Sequence, residues 1–354
     1  MVGSVVTDCE GKVVGDGFHE RAGGPHAEVV ALDKAGEAAR GGTIYVSLEP
    51  CSHFGKTPPC VNRLIESGVK RVVAGMVDPN PLVSGKGLAA LREAGIEVLV
   101  GVLEEECRWL NRGFVKRMSA GLPWLCLKLA TTLDGKIADR TGTSRWISGA
   151  EARLHVHHLR DTMDCVLVGG ATALSDDPEL SVREVEGGRH PLRAVFDPDL
   201  SLPPSARLCL EGSGGPTVIF CSSDALKRSG SNYPEHVRLV SIERDRSSVG
   251  YLDLKEGLSW LAGEGNSTVL CEGGGRLSAG LLSAGLVDEV QWIVSPKILG
   301  DAEAIPAVSH LGEVLLSNAR KLEKTTYTKL GEDLLVRGIL SNGASDSGAA
   351  SSNE

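Results

Sequence analysis

An imidazole, a carboxylate and two thiols occur early in the chain in an order that suits hydrolysis at a metal. His26-Ala27-Glu28 is followed by Pro50-Cys51 and, after a short polar loop, by Cys60. One imidazole and two thiolates can hold zinc and leave its fourth position to water, whose pKa the ion lowers toward ~7. Glu28 is then the proton shuttle rather than a ligand. The general zinc-deaminase signature is H-x-E followed by P-C-x-x-C; here eight residues separate the cysteines, so that form is not met. The plain alternative is a helix start and two ordinary cysteines. A structural zinc site would more often be closed by four protein ligands, and it would leave Glu28 without a task.

The elements that must bring these groups together can be read from the flanking residues. Val2 to Thr7 and Lys12 to Phe18 flank the turn sequence Asp8-Cys9-Glu10-Gly11 and predict a hairpin. The run HAEVVALDKAGEAAR predicts a helix with His26 on its first turn, stopped by Gly41-Gly42. Thr43 to Ser47 reads as a strand that delivers Pro50-Cys51. Cys60 to Ser67, Arg71 to Met76, Gly87 to Ala94 and Ile96 to Val100 then alternate helix and strand, as in a layered α/β/α domain. Leu103 to Ser119 reads as one helix, and Ala120-Gly121-Leu122-Pro123 breaks it.

With 354 residues, two domains are expected. The net charge of -9 and the lack of a long Lys/Arg run argue against a general nucleic-acid or membrane surface. Nine scattered cysteines without a CxxC pair suit a reducing compartment. No apolar run is long enough to span a membrane, and the N-terminus has no signal pattern. The sequence begins within a core strand, so an element ahead of Met1 is expected. The small, polar tail at residues 342–354 is expected to be disordered.

Beyond the break, Trp124 to Ala130, Cys165 to Val168, Leu192 to Phe196, Thr217 to Cys221 and Thr268 to Cys271 read as strands. Helices are expected over Ala150 to Arg160 and after Gly275. Glu272-Gly273-Gly274-Gly275, between a strand and a helix, lets backbone N–H groups approach a phosphate. No GxGxxG follows an opening strand, so a Rossmann dinucleotide site is not supported. His155, His157 and His158 do not share one helix face and are expected in solvent rather than on a metal.

HAEVVAL, SLEPCSHFGKTPPC and MVDPNPLVSGKG, with LKLA, LDGK, SRWIS, DDP and EGGG in the second half, resemble the bifunctional riboflavin-biosynthesis deaminase/reductase family. The longer intercysteine loop is normal in that family. The resemblance implies a cytidine-deaminase-like α/β/α zinc domain at residues 1–119, lacking the family's first helix and Asn-Pro element. It implies a dihydrofolate-reductase-like α/β domain at residues 123–341. The zinc ligands become His26, Cys51 and Cys60, with Glu28 as the catalytic carboxylate. His19, His53, Lys56, Asp78 and Asn80 are implied to hold an aminopyrimidine ribose phosphate. In the second domain Ser144, Arg160, Leu180, Arg183 and Glu272 are implied for substrate. Trp146, Thr172, Asp176 and Gly274, Gly275, Arg276, Leu277, Ser278, Ala279 and Gly280 are implied for NADPH. Lys128 is the candidate catalytic or orienting cation. Phe196-Asp197-Pro198 departs from the small hydroxyl residue many relatives carry after the aspartate.

The implied reactions are hydrolytic deamination of 2,5-diamino-6-(5-phosphoribosylamino)pyrimidin-4-one and NADPH reduction of the ribosyl group to ribityl. A chain retaining one of the two activities remains an alternative, as does a nucleic-acid base deaminase with a binding module. The expected setting is cytoplasmic, or a plastid should a leader precede Met1. The expected assembly is a homo-oligomer without nucleic-acid or membrane partners.

Overall fold

Asp8 closes the first hairpin with its own side chain. Its Oδ1 accepts from the N–H groups of Glu10 (3.0 Å) and Lys12 (2.9 Å), while Gly11 takes a positive φ of 86°. The computed structural model describes residues 2–341 except 22, 55–57, 82, 213, 230–231, 246–250, 310 and 312–314. Lys56 and the 342–354 tail therefore lie outside the described residues. The chain divides into two units between Ala120 and Gly121.

In the first unit the strands are Gly3–Thr7 (β1), Val13–Phe18 (β2), Thr43–Val46 (β3), Arg71–Ala74 (β4) and Glu97–Val100 (β5). They form one sheet in the order β2-β1-β3-β4-β5, with β1 antiparallel to both neighbours and β3, β4 and β5 parallel. The helices are Ala27–Ala35 (α1), Cys60–Ser67 (α2), Lys86–Glu93 (α3), Glu104–Leu110 (α4) and Arg112–Ala120 (α5). Leu32 of α1, Leu64 of α2 and Leu91 of α3 pack with Val6, Ile44 and Val72 of the sheet. Each such side chain contributes about 1.5–3 kcal/mol by leaving water. Helix α1 stops at Gly36, not at Gly41-Gly42: Gly36 turns to φ 53° and its N–H reaches the Leu32 carbonyl. The expected single helix over Leu103 to Ser119 is two helices, separated at Asn111.

The second unit is built on a nine-stranded sheet. Its strands are Trp124–Thr131 (β6), Cys165–Gly169 (β8), Leu192–Phe196 (β9), Thr217–Cys221 (β10), Val237–Ser241 (β11), Thr268–Cys271 (β12), Glu289–Val294 (β13), Leu322–Leu330 (β15) and Asp333–Leu340 (β16). The order is β11-β10-β9-β8-β12-β6-β13-β16-β15, parallel through β13 and antiparallel at β16 and β15. Lys136–Ala138 (β7) and Ile305–Pro306 (β14) make a separate small pair. The helices are Ala150–Thr162 (α6), Gly170–Asp176 (α7), Ser223–Ser229 (α8), Leu254–Gly263 (α9) and Gly275–Ser283 (α10).

Alternate strand residues enter two different cores, as a two-residue side-chain period requires. Leu125, Leu127, Leu167, Phe196, Phe220, Val269 and Cys271 meet Leu258 and Leu261 of α9 and Leu281 of α10. Cys126, Val166, Val195, Ile219 and Leu270 meet the other cluster, which includes Ala173 of α7 and Ala225 of α8. The central sheet is thus covered on both faces, which explains its unbroken apolar runs. This alternation also decides where the polar residues on and just after these strands point. Lys128 follows Cys126 by two, and Glu272 follows Leu270 by two, so both side chains leave β6 and β12 on one face.

Candidate active sites

Backbone proximity sets the first site. Strand β2 carries Gly15 and Gly17 beneath α1: an added Cβ would lie 2.2 Å from the Ala31 carbonyl oxygen and 2.6 Å from that of Ala27. Only glycine permits this approach, which seats the start of α1 on the sheet. His26 is the N-cap of α1, and Glu28, 3% exposed, lies in the first turn. Cys51 follows the Glu49-Pro50 corner, and Cys60 opens α2 immediately after Pro59, where a proline is tolerated.

The His26 Nδ1 lies 3.1 Å from the Cys60 Sγ and 3.5 Å from the Cys51 Sγ, and the Cys60 N–H points at the Cys51 sulfur at 3.3 Å. All three donor atoms fall within 4.8 Å of one another. Zinc bonds of about 2.0–2.3 Å at tetrahedral angles call for donor separations of roughly 3.5 Å, so an N/S/S set of this size suits zinc. The Cys60 thiol, more than the His26 ring, draws the Cys51 pKa down to about 4. The same thiol–thiolate contact pushes Cys60 upward. Burial raises the Glu28 carboxyl above its ordinary range, which suits a group that must accept and return a proton.

Around this centre, the His19 ring stands edge-on to His26 at 5.2 Å and its Nδ1 is 3.0 Å from the Pro25 carbonyl oxygen. Asp78 is 8% exposed, and burial raises its pKa, with Cys51 and His53 among the charges acting on it. Its Oδ1 accepts from the Asn80 N–H at 2.8 Å. His53 is exposed on the intercysteine loop.

Glu49 was not singled out in the sequence, although it adjoins Pro50-Cys51. Its buried carboxylate accepts from the N–H groups of Asp78 (3.0 Å), Gly85 (2.9 Å) and Gly87 (2.9 Å). It therefore ties the Asp78 loop and the start of α3 to the metal-side loop. An apparently polar residue flanked by Leu48 and Pro50 was the available signal.

The second site is a cleft of about 1410 Å³ over the carboxyl ends of the central parallel strands. That exceeds the roughly 300–1,000 Å³ of a pocket for one small ligand and leaves room for two ligands side by side. Lys128, Ser144, Trp146, Arg160, Thr172, Asp176, Arg183 and Glu272 all line it, as do Gly274, Gly275, Arg276 and Leu277. Leu180 is buried and is not among the lining residues; nor are Ser278, Ala279 and Gly280, which continue α10 inward.

Arg160 on α6 grips Glu272 with two bonds, Nε to Oε1 at 2.6 Å and Nη2 to Oε2 at 3.0 Å. The pair is 12% and 9% exposed. Burial alone would raise the Glu272 pKa; the adjacent guanidinium overrides it and holds the carboxyl below its ordinary range. Withdrawal from water lowers the Lys128 pKa against the pull of Glu272. A lysine so placed holds its proton less tightly than one in water.

Where β12 meets α10, glycine is required by contact: a Cβ on Gly275 would sit 2.5 Å from the Pro306 carbonyl oxygen. The Thr172 Oγ1 accepts from the Gly274 N–H at 3.0 Å. No side chain caps the start of α10, and its first residues, Gly275 to Leu277, line the cleft. That arrangement suits the phosphates of a dinucleotide.

The histidines of α6 depart from the solvent reading. His155 Nε2 is 2.9 Å from the Gln291 Oε1, and His157 is 7% exposed with its Nδ1 accepting from the Arg183 N–H at 3.2 Å. Only His158 of the three is exposed.

Comparison with known proteins gives the same two parts. Residues 1–76 match the profile of the cytidine and deoxycytidylate deaminase zinc-binding region, and residues 123–336 match the RibD C-terminal domain. The chain is 43% identical to riboflavin biosynthesis protein RibD of Aquifex aeolicus, over 95% of this chain and 90% of that protein. It is 42% identical to RibD of Escherichia coli, over 95% and 92%. Among solved structures, Acinetobacter baumannii RibD is 37% identical with a TM-score of 0.84, covering 96% of this chain and 92% of the other. A Thermotoga maritima diaminohydroxyphosphoribosylaminopyrimidine deaminase/5-amino-6-(5-phosphoribosylamino)uracil reductase is 37% identical with a TM-score of 0.82, covering 96% and 91%.

Proposed function

This chain belongs to the RibD family of bifunctional riboflavin-biosynthesis enzymes, and on that footing we propose how its residues divide the work. It is a deaminase and a reductase, with zinc and NADPH as cofactors, acting on a small phosphoribosylaminopyrimidine. We assign deamination to residues 1–119 and reduction to residues 123–341.

The observation that carries the reading is the convergence of His26 Nδ1, Cys51 Sγ and Cys60 Sγ beside buried Glu28. Those three atoms would hold zinc, which supplies a water acidic enough to attack at neutral pH. Glu28 takes a proton from the attacking water and delivers it to the amine. The ring carbon keeps the water oxygen as a carbonyl, and ammonia leaves. Asp78 and Asn80 meet the amino and carbonyl edges of the ring, while His19, His53 and Lys56 meet its ribose phosphate.

In the second domain Trp146, Thr172, Asp176 and residues 274–277 at the start of α10 hold NADPH, whose nicotinamide would supply the hydride; residues 278–280, which do not line the cleft, support that start from within the helix. The reduced atom is the ribose C1 carbon, presented as an open-chain imine. Lys128 steers that group and carries the proton its nitrogen takes up, while Glu272 and Arg160 fix the lysine's surroundings. Ser144 and Arg183 complete the substrate side, the arginine facing its phosphate, while Leu180 packs in the core rather than on the cleft.

No described helix is long and apolar enough to cross a membrane. We propose a cytoplasmic homo-oligomer without nucleic-acid or membrane partners, a setting that the net charge of -9 supports.

The direct assay is purified protein with the diaminopyrimidine substrate, with and without NADPH, followed by mass spectrometry. The uracil should form without NADPH and the ribityl product only with it. Ribityl product made without NADPH, or no deaminated product in either arm, would defeat the proposal.

A further inference from the structure

Residues 177–183, between α7 and β9, have no regular secondary structure, yet Leu180, Ser181 and Val182 are buried. The backbone here is strained as well as irregular. Asp177, Leu180 and Glu184 have positive φ values of 40°, 51° and 63° without being glycine. Such conformations cost about 1–3 kcal/mol each and persist only where surrounding contacts over-determine them.

Three clips supply those contacts. The Ser181 carbonyl accepts from Arg160 Nη1 at 3.0 Å, the Val182 N–H donates to His190 Nδ1 at 3.1 Å, and the Arg183 N–H donates to His157 Nδ1 at 3.2 Å. The last clip acts on the residue assigned above to the substrate phosphate. Among the described residues, the Arg183 guanidinium is otherwise tethered only within its own segment, to Glu179 at 2.9 Å.

We infer that His157 is a positioning residue of the reductase: its Nδ1 lone pair fixes the Arg183 backbone and so sets where that guanidinium meets the substrate phosphate. His157 itself borders the cleft, and in this scheme it acts on the substrate through Arg183 rather than by direct contact. It is anchored on α6, one turn before Arg160, and the same helix thereby fixes both the Glu272 side and the phosphate side of the cleft. An acceptor at Nδ1 requires the neutral ring with its proton on Nε2. Arg160, Arg183, Glu184 and Glu272 are the charges acting on the ring.

The inference rests on the reductase reading and on Arg183 as phosphate ligand, and its test separates the two. Leucine and asparagine have nearly the same shape, but only asparagine offers an acceptor. We expect His157→Leu to raise the KM for the aminouracil substrate roughly ten-fold, the loss of one buried acceptor. Its kcat and NADPH Kd should stay within about two-fold of wild type, because a positioning defect confined to the phosphate side leaves the other contacts intact. His157→Asn should return the KM to within about three-fold of wild type, since its amide oxygen can take the Arg183 N–H. Equal KM values in the two variants, or kcat and NADPH affinity falling along with KM, would overturn the inference. Arg183→Ala is the companion: an unchanged KM there would defeat the phosphate assignment itself. Thermal melts of the second unit, to which both residues belong, verify that each variant is folded; ammonia release reports only on the first.

Discussion

The two sites reach similar chemical definition by opposite routes. In the first unit, the four residues assigned to the site lie between positions 26 and 60, and each sits at or beside an element end: an N-cap, a first turn, a proline corner and a helix start. In the second, Lys128, Arg160 and Glu272 are separated by up to 144 positions and meet only because β6 and β12 pair in register, Leu127 beside Cys271. The first site depends on local backbone geometry and a metal; the second depends on the integrity of a whole sheet. Damage should therefore remain confined in the first and spread in the second.

The largest expected effect is on the metal centre. Cys60→Ser, or treatment with a strong chelator, should remove zinc and reduce ammonia release by at least ~100-fold, the scale on which such centres activate water. NADPH oxidation with the aminouracil substrate should persist. Elemental analysis beside both assays checks this, and unchanged zinc in the serine variant would break the ligand assignment.

Next comes Glu272→Gln. Removing one partner of a buried ion pair costs about 3–5 kcal/mol, so the second unit should melt earlier while deamination at lower temperature survives. The sign with pH follows from the depressed Glu272 pKa. Its stabilising contribution is fully present above the carboxyl's ordinary value near 4.5 and is lost as pH falls through the lower folded value. Thermal melts of wild type and variant should therefore converge at acid pH; a gap that widens there would contradict the pair's assigned role.

Arg183→Ala should weaken substrate binding by roughly 10–100-fold through loss of a charge-assisted contact and leave NADPH binding nearly unchanged. Titration of each ligand separately decides it. The smallest effect sharpens the comparison from the other side. Gly17→Ala should cost about 1–3 kcal/mol by overpacking α1 against its strand, with zinc affinity reduced and reductase kinetics preserved. Equal damage to both activities would show that the first site is less self-contained than its geometry indicates.

The same contrast governs what could be read from residues alone. His26, Glu28, Cys51 and Cys60 were legible because each motif carries its own local geometry. Strands such as Leu192–Phe196, Thr217–Cys221 and Thr268–Cys271 were legible as short apolar runs. The end of α1 was misplaced at Gly41-Gly42 because several helix-forming residues follow Gly36, and only the chain's return toward β3 makes Gly36 the stop. His157 was read as solvent-facing because helical spacing tells which histidines share a face, not which face the sheet and the 177–183 segment will cover. Glu49 was overlooked for a related reason: its partners are backbone N–H groups that have no residue signature. The clip between Arg160 and Ser181 is invisible for the same reason.

The central claim is that two sites of different construction carry two separable steps on one small molecule. Glu28→Gln tests it most directly, because it alters one buried carboxylate and no zinc donor. Given the diaminopyrimidine, the variant should keep its zinc and release no ammonia; given the deaminated uracil, it should oxidise NADPH at the wild-type rate. Ammonia release at the wild-type rate, or loss of NADPH oxidation together with ammonia release, would contradict it.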